Sequence, residues 1–258
     1  MTALHAILAA AQPADDAGAW SATIPDGWLQ GRTGYGGLTT ALALDCTLRG
    51  VADLPPLRSA QVAFVGPLSG TVRVTAQVLR RGRNAAFVQA DVAGAAGLGL
   101  RCTFVFMRAL ESAVDHDRTA PAPCPAPHAG DAVLRGVPAI AFTERFETVD
   151  RPLEEGTGWR RWVRLAERGA LVPAVELLAI GDALPPAAMR LMRQPAPLSS
   201  LTWMINLLDP APTTDDGWWL VETRTDHARD GATSQAMAIW NKAGCKVAEH
   251  MQAAAIFG

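Results

Sequence analysis

Two distant segments of this chain of 258 residues follow the same plan. PLRSAQVAFVGP at residues 56–67 and PLSSLTWMINLLDP at residues 197–210 both begin with Pro-Leu-x-Ser, continue with apolar residues and end in proline, at an offset of 141 to 143. Farther on, RNAAFVQADV and RDGATSQAMA align at an offset of 146, which pairs Gln89 with Gln235. A loop insertion explains the drift in the offset, so the sequence predicts a duplicated domain.

Each copy is predicted to contain one long helix and several antiparallel strands. In the first copy, the apolar run at residues 37–49 predicts a helix, and alternating runs such as TVRVTAQVLRR, separated by turn sequences, predict strands. These strands fall at residues 57–65, 71–81, 85–93 and 98–108. In the second copy, the predicted helix has a proline at its start. Its elements are strands at residues 139–149 and 159–166, a helix at residues 173–193 and four strands that end at Phe257.

This arrangement predicts an α+β fold of the double hot-dog type, in which each of two repeats wraps an antiparallel sheet around a central helix. The N-terminal repeat is expected at residues 1–110 and the C-terminal repeat at residues 139–258. Residues 111–138, rich in Pro, Ala and Asp, are predicted to form a linker that is extended at APAPCPAP. The first residues, MTALHAILAAAQP, predict a short helix and not a signal peptide, because no basic segment precedes the apolar one.

The composition argues against several kinds of partner. A net charge of -2 from mixed signs gives no basic surface for nucleic acid or an anionic membrane, and no apolar stretch reaches the length of about 18 residues that spans a bilayer. We therefore expect a cytoplasmic protein whose partner is a small molecule or another subunit. Neither a metal site, a disulfide nor a cofactor is predicted, because the histidines are isolated and the cysteines form no C-x-x-C pair. The cysteines are Cys46, Cys102, Cys124 and Cys245.

A glycine-rich segment, GRTGYGGLTTALALD at residues 31–45, directly precedes the first predicted helix. It lacks the lysine of a P-loop and does not match the G-x-G-x-x-G pattern of dinucleotide-binding folds. A phosphate-binding loop is therefore not predicted, and the glycines need another explanation.

Three segments of the sequence resemble a known family. They are W-x-x-G-R-x-G-Y-G-G-L at residues 28–38, GDALPP at residues 181–186 and DGATSQAMAIWNKAGCKVAEHMQAAAIF at the C-terminus. From about residue 20 to residue 257, the chain is similar to the double hot-dog acyl-CoA thioesterases related to acyl-CoA thioesterase II. The resemblance implies that an acyl-CoA is the substrate and that activated water hydrolyses it to a free acid and CoA without a metal ion.

The resemblance also implies a use for the glycines. In hot-dog proteins the glycine-rich segment leads into the central helix, where backbone N–H groups face the thioester carbonyl and stabilise an oxyanion. Gly36 and Gly37 are therefore predicted to bind the substrate. The alternative is that these residues and Gly34 only allow the helix to begin close beneath a neighbouring strand.

The family resembled uses a catalytic aspartate, a hydroxyl residue and a glutamine from the second repeat. VAEHMQAAAIF matches the last strand of the family and implies that Gln252 positions water. The aspartate position falls on Thr202, with Ser200 close by, and a hydroxyl is a weaker acceptor than a carboxylate. This departure favours one alternative function, an acyl-CoA or acyl-carrier binding protein without catalysis.

Acidic residues elsewhere offer a replacement carboxylate. The hydroxyl position falls near TDHARDG, where Asp226, His227 and Asp230 are predicted to orient water, with His227 as the base, unless the segment is only a solvated turn. The repeat alignment also pairs Asp45 with Asp182 at an offset of 137. Single-domain hot-dog thioesterases commonly carry an acidic residue on the central helix, so Asp182 is a candidate for the missing carboxylate. The alternative is that both acids face solvent or a sheet edge.

Two further expectations concern binding and assembly. Arginines at two places are candidates for contacts with the phosphates of CoA, or are simply solvated. They are Arg80, Arg81 and Arg83 in a hairpin, and Arg160 and Arg161. A homo-oligomer is expected, because a duplicated hot dog leaves sheet faces and edges to cover. A hydratase or dehydratase of the same fold is a second alternative, although the first helix lacks the histidine that such enzymes usually carry there.

Overall fold

A computed structural model describes residues 2–14 and 18–257. Within the described residues, the first half of the chain contains two helices and eight strands. These are α1 Leu4–Ala10, β1 Gln12–Pro13, β2 Ala19–Ile24, β3 Leu29–Gln30, β4 Thr33–Gly34, α2 Gly36–Gly50, β5 Leu57–Phe64, β6 Gly70–Arg81, β7 Ala85–Gly94 and β8 Gly97–Met107.

The second half contains one helix and seven strands among its described residues. These are β9 Leu134–Arg135, β10 Phe146–Asp150, β11 Thr157–Leu165, α3 Pro173–Gly181, β12 Leu198–Leu207, β13 Trp219–Arg229, β14 Ala232–Asn241 and β15 Lys246–Ile256. Short 3₁₀ helices occur at Asp26–Trp28, Ala141–Arg145, Ala187–Leu191 and Asp215–Gly217.

Thirteen of the described strands form a single antiparallel sheet in the order β1-β2-β6-β7-β8-β5-β12-β15-β14-β13-β11-β10-β9. The two halves meet at its centre, where β5 pairs with β12 and Val62 lies opposite Trp203. Helices α2 and α3 pack against each other on one face of this sheet. The predicted double hot-dog architecture is confirmed.

The core explains why α2 is apolar around most of its circumference. Its residues from Gly37 to Leu44 are all buried, because the helix is covered by the sheet on one side and by α3 on the other. Strand residues alternate between this core and the opposite face, as in β7, where Val88 and Ala90 are buried while Phe87 is exposed.

The predicted helix at residues 173–193 was too long, because α3 ends at Gly181. Pro185 and Pro186 follow shortly afterwards, and proline both lacks an N–H and disfavours a helical conformation of the preceding residue. The predicted strand at residues 139–149 was also partly wrong, because a 3₁₀ helix occupies Ala141–Arg145 before β10 begins.

The repeat alignment contains an error of register. Gln235 faces the core from β14, whereas Gln89 lies on the other face of β7 and donates a hydrogen bond to Asp91. Because successive side chains of a strand point to opposite faces, a shift of one residue reverses every assignment.

Residues 120–126, which we call the strap, lie against the face of the sheet opposite the helices. The indole N–H of Trp162 donates to the carbonyl of Pro125 over 2.8 Å, and that of Trp240 donates to the carbonyl of Ala120 over 2.9 Å. The backbone N–H of Ala122 donates to the carbonyl of Gly244. Among the described residues, no helix is long and apolar enough to cross a membrane.

Candidate active site

Asp182 lies where the two halves of the molecule meet. It directly follows α3, and its Oδ1 accepts a 2.8 Å hydrogen bond from Nε2 of Gln252 on β15. The backbone of Gly37, at the start of α2, lies close enough to the same carboxyl group to lower its pKa. The site therefore combines a helix N-terminus from the first half with a carboxyl and an amide from the second.

The two glycines at the start of α2 allow this close approach. A methyl group on Gly36 would lie 2.6 Å from Oδ2 of Asp182 and 2.7 Å from Cε1 of Phe64. On Gly37 it would lie 2.7 Å from the carbonyl oxygen of Ala179. Neither contact is compatible with a side chain, so both positions require glycine in this packing.

The same contacts revise the oxyanion hypothesis for these glycines. The carboxyl group of Asp182 lies beside the start of α2, where the N–H of Gly37 was predicted to face a thioester carbonyl. A carboxylate at this position interacts favourably with the positive end of the dipole of α2. The geometry favours the interpretation in which the glycines permit tight packing.

Two buried glutamines continue the hydrogen-bond chain from Asp182. Oε1 of Gln252 accepts a 2.7 Å hydrogen bond from Nε2 of Gln235, which lies directly opposite on β14. Oε1 of Gln235 in turn accepts a 2.7 Å bond from the backbone N–H of Ala187. Each glutamine is only 1% exposed.

Burial sets the protonation of the site. Asp182 as a residue is half-buried, but its carboxyl group is enclosed by Gly36, Gly37 and Gln252. Desolvation raises the pKa of Asp182 to about 7, against the opposing effect of the hydrogen bonds from Gln252 and Gly37. A carboxyl group with a pKa near neutrality can both accept and return a proton at physiological pH.

Tyr35 contacts the end of α3, which Asp182 directly follows. Its hydroxyl donates a 2.6 Å hydrogen bond to the carbonyl of Ala179 in the last turns of α3, and its ring stacks on Phe142 at 4.4 Å. Burial and the negative charge of Asp182 both raise the pKa of Tyr35 well above its usual value, so it remains neutral.

His250, which sequence analysis set aside as isolated, is buried on the same face of β15 as Gln252. Its Nδ1 accepts a 2.9 Å hydrogen bond from the indole N–H of Trp203, and burial lowers the pKa of the imidazole to about 3. The ring is therefore neutral and carries its proton on Nε2, which has no hydrogen-bond partner within the described part of the chain.

Thr202 does not take the place of the family aspartate. Its side chain is exposed on the face of β12 away from the helices, and Trp203 occupies the inward position. A register shift between Ser200 and Thr202 changes which residues point inward, so alignment by sequence was misleading here.

The residues of TDHARDG lie in a solvated hairpin. Asp226, His227 and Asp230 are all exposed. Asp230 and Gly231 both have positive φ and form the two-residue turn between β13 and β14, as Asp-Gly pairs commonly do. The structure therefore favours the turn interpretation over a catalytic role for His227.

The remaining candidates lie outside this cluster. Asp45 is half-buried on α2, where its Oδ2 is 3.3 Å from Nη1 of Arg49. Arg160 is buried and paired with Glu222, and Arg161 is paired with the exposed Asp150. The hairpin arginines Arg80, Arg81 and Arg83 are exposed.

Sequence reasoning missed Gln235 and the inward hydroxyl groups of β13. Thr223 and Thr225 are buried, and Oγ1 of Thr225 donates to the carbonyl of Ser234 over 2.6 Å. The sequence did contain a sign of these inward polar groups. Thr233 and Gln235 occupy alternate positions of β14 at which a core-facing strand normally carries apolar residues.

The profile of the acyl-CoA thioesterase N-terminal domain matches residues 24–111, and that of the C-terminal domain matches residues 115–256. The chain belongs to the acyl-CoA thioesterase family. No curated protein matches the sequence.

Solved structures with the same architecture extend the comparison with this family. A candidate thioesterase II from Thermobifida fusca YX has a TM-score of 0.83 at 19% identity, covering 100% of this chain and 98% of that one. A conserved hot-dog protein of unknown function from Alicyclobacillus acidocaldarius has a TM-score of 0.85 at 16% identity, with coverage of 100% and 99%. Acyl-CoA thioesterase II TesB2 from Mycobacterium marinum has a TM-score of 0.72 at 15% identity, with coverage of 98% and 96%. At such identities the likeness concerns the fold.

Proposed function

We propose that the protein hydrolyses an acyl-CoA thioester to a free acid and CoA, with Asp182 as the general base. The observation that carries the proposal is the enclosed carboxyl group of Asp182 at the start of α2. Its pKa is raised to about 7, and it accepts a hydrogen bond from Gln252 of β15. Membership of the acyl-CoA thioesterase family supports the class of substrate.

In the proposed reaction, Asp182 accepts a proton from water as the water oxygen attacks the thioester carbonyl carbon. The carbon–sulfur bond then breaks, and the proton on Asp182 passes to the sulfur of CoA, which restores the carboxylate. The mechanism uses no metal ion. A carboxyl group with a pKa near 7 suits both transfers, because it is neither too weak a base nor too weak an acid.

Gln252 is proposed to orient the reacting groups. Its Nε2 carries two hydrogens, of which one is donated to Asp182. The other is proposed to bond to the attacking water or to the carbonyl oxygen, where charge develops. Thr202, His227, Asp226 and Asp230 have no part in this mechanism, because their side chains are exposed elsewhere.

The first experiment measures CoA release from short, long and aromatic acyl-CoAs with a thiol reagent. The Gln252→Ala variant is expected to lower turnover by about one to three orders of magnitude, as the loss of an oriented hydrogen-bond donor does. His227→Ala is the matched control and is expected to retain the activity of the original protein. Unchanged turnover in a folded Gln252→Ala variant would remove Gln252 from the mechanism.

The same panel decides between catalysis and binding alone. The inward positions of β12, Trp203, Ile205 and Leu207, include no carboxylate, which favours, as a second candidate, a protein that binds acyl-CoA without hydrolysing it. Binding to acyl-CoA across the panel with no release of CoA would establish that second function instead.

A further inference from the structure

A side-chain amide can be placed in either of two orientations, and only one of them suits Gln252. Its oxygen and nitrogen have nearly the same size, so packing alone hardly distinguishes them. With Nε2 toward Asp182 the amide donates to the carboxyl group, as observed. With the amide reversed, Oε1 would face the oxygens of the ionised carboxylate of Asp182, and two acceptors would repel each other.

Gln235 selects the observed orientation. Its Nε2 donates to Oε1 of Gln252, and its own orientation is fixed because the backbone N–H of Ala187 can only donate. The direction of hydrogen bonding is thus set along the whole chain from Ala187 through Gln235 and Gln252 to Asp182.

We propose that Gln235 is a positioning residue, which holds the amide of Gln252 in its productive orientation and makes that orientation depend on the docked position of residues 182–191. This inference rests on the proposed function of Asp182 and Gln252.

The segment and the two glutamines form a closed ring. Asp182 and Ala187 lie five residues apart in one loop, and the glutamines on β14 and β15 join them through three hydrogen bonds. Leu184 is buried at 4% exposure, so the loop is also packed against the core. Displacement of the loop would remove the N–H of Ala187 from Gln235 and the carboxyl of Asp182 from Gln252 together.

Two further contacts hold the loop in place over the sheet. The indole N–H of Trp159 donates to the carbonyl of Pro186 over 3.4 Å, and Nε of Arg190 donates to the carbonyl of Gly158 over 3.1 Å. The guanidinium of Arg190 also lies 4.2 Å from the ring centroid of Trp159. The docked loop is therefore a defined structure on which the orientation of Gln235 can depend.

A purely structural explanation for Gln235 is weaker. The inward positions of β7, the corresponding strand of the first half, are filled by apolar residues such as Val88 and Ala90. Replacing a buried amide and its partners together by apolar groups is nearly neutral for stability, whereas replacing Gln235 alone would leave Oε1 of Gln252 and the N–H of Ala187 without partners. What Gln235 adds is the direction of its hydrogen bonds.

The test compares Gln235→Leu with Gln89→Leu, whose side chain lies on the opposite face of the sheet. We expect Gln235→Leu to lower kcat by about 10- to 100-fold, less than the direct loss of a catalytic donor, with KM changed less than about threefold because no substrate contact is removed. The pH at half-maximal kcat should also move upward, because Gln252 no longer stabilises the carboxylate of Asp182. Gln89→Leu should match the original protein in all three. Unchanged kcat and an unchanged pH profile in Gln235→Leu would overturn the proposal.

A second variant, Gln235→Glu, keeps the test decisive if the leucine variant does not fold. A protonated glutamate can donate to Gln252 and accept from Ala187 as glutamine does, whereas an ionised one cannot donate. Its kcat relative to that of the original protein should therefore fall as the pH rises. A ratio that stays constant through the pH at which this glutamate ionises, followed by NMR on the same variant, would contradict the positioning role.

An NMR measurement that does not require turnover tests the role of Gln235 separately from the proposed function. In NMR spectra, the side-chain amide protons of Gln252 should shift with the ionisation of Asp182, and this shift should be lost in Gln235→Leu but kept in Gln89→Leu. If CoA release is absent from the original protein, the proposed function fails, while these signals still confirm or refute the control of Gln252 by Gln235.

Discussion

At the scale of single residues, Asp182 determines how the molecule should respond to pH. A general base must be ionised, and the pKa of this carboxyl is raised to about 7. We therefore expect turnover to rise as the pH increases through about 7 and to level off above it. Asp182→Asn should lower turnover by about 10²- to 10⁴-fold and abolish this dependence. Turnover of the original protein that is flat from pH 5 to 9 would contradict the assignment.

The raised pKa of Asp182 also predicts how the stability of the fold depends on pH. Because the pKa of Asp182 is raised from 3.8 to about 7 in the folded state, the folded protein holds this proton more tightly than the unfolded chain. The contribution of Asp182 to stability is therefore complete below pH 3.8 and declines as the pH rises to about 7.

Asp182→Asn removes this dependence. Relative to the original protein, the free energy of unfolding of the variant should increase between pH 4 and pH 8 by up to about 4 kcal/mol, the equivalent of a difference of about three in pKa. Denaturant unfolding of both proteins at the two pH values measures the change. A difference between them that does not vary with pH would show that the carboxyl is not enclosed as described.

Single residues also show where sequence reasoning reached its limit. Gln252 was identified through a family motif and Asp182 through the repeat alignment with Asp45, and the structure brings the two into contact. Their catalytic roles remain predictions. Thr202 was misplaced because a bulge in β12 reverses the alternation, and no pattern in the sequence marks that bulge. Gln235 was missed because its importance arises from a neighbour on an adjacent strand, which pairing reveals and sequence does not.

At the scale of elements, the start of α2 is the most constrained part of the site. Replacing glycine by alanine within a helix normally increases stability. At Gly36 we expect the reverse, a loss of about 1 to 3 kcal/mol from overpacking, because the new methyl group would lie 2.6 Å from Oδ2 of Asp182. Turnover should fall as well, since Asp182 must move to accommodate it.

Gly82→Ala provides the matched control for this prediction. Gly82 is exposed, and a methyl group there would meet only the carbonyl oxygen of Ala85 at an ordinary 3.6 Å. Thermal unfolding of both variants measures the contrast. Equal stability of Gly36→Ala and the original protein would mean that α2 and Asp182 can separate without cost.

Most elements could be predicted from periodicity, but their ends and pairings could not. The helix at residues 37–49 and the four strands after it agree with α2 and β5 to β8 within two residues, because apolar alternation and turn sequences define them locally. The end of α3 depends on a loop whose conformation is set by contacts with distant strands, such as the bond between Ala187 and Gln235.

At the scale of the whole molecule, the two halves are unequal in chemistry. The inward positions of β7 and β8 carry Val88, Ala90, Cys102 and Phe104, whereas those of β14 and β15 carry the two glutamines and His250. The first half instead contributes the helix N-terminus that contacts Asp182. We infer that each chain holds one site, built from both halves.

This asymmetry predicts the stoichiometry of binding. A non-hydrolysable acyl-CoA analogue should bind once per chain in isothermal titration calorimetry, and Gly36→Ala should weaken that binding although it lies in the first half. Two equivalent sites per chain would show instead that the apolar first half also accepts an acyl group.

The strap constrains the order in which parts of the molecule can fold. The groups that hold it belong to Trp162, Trp240 and Gly244, and all three lie later in the chain than residues 120–126. The strap therefore cannot make all its contacts until nearly the whole second half has been translated. Its docking belongs among the last steps of folding, and the three tryptophans of its binding surface, Trp162, Trp218 and Trp240, remain uncovered until then.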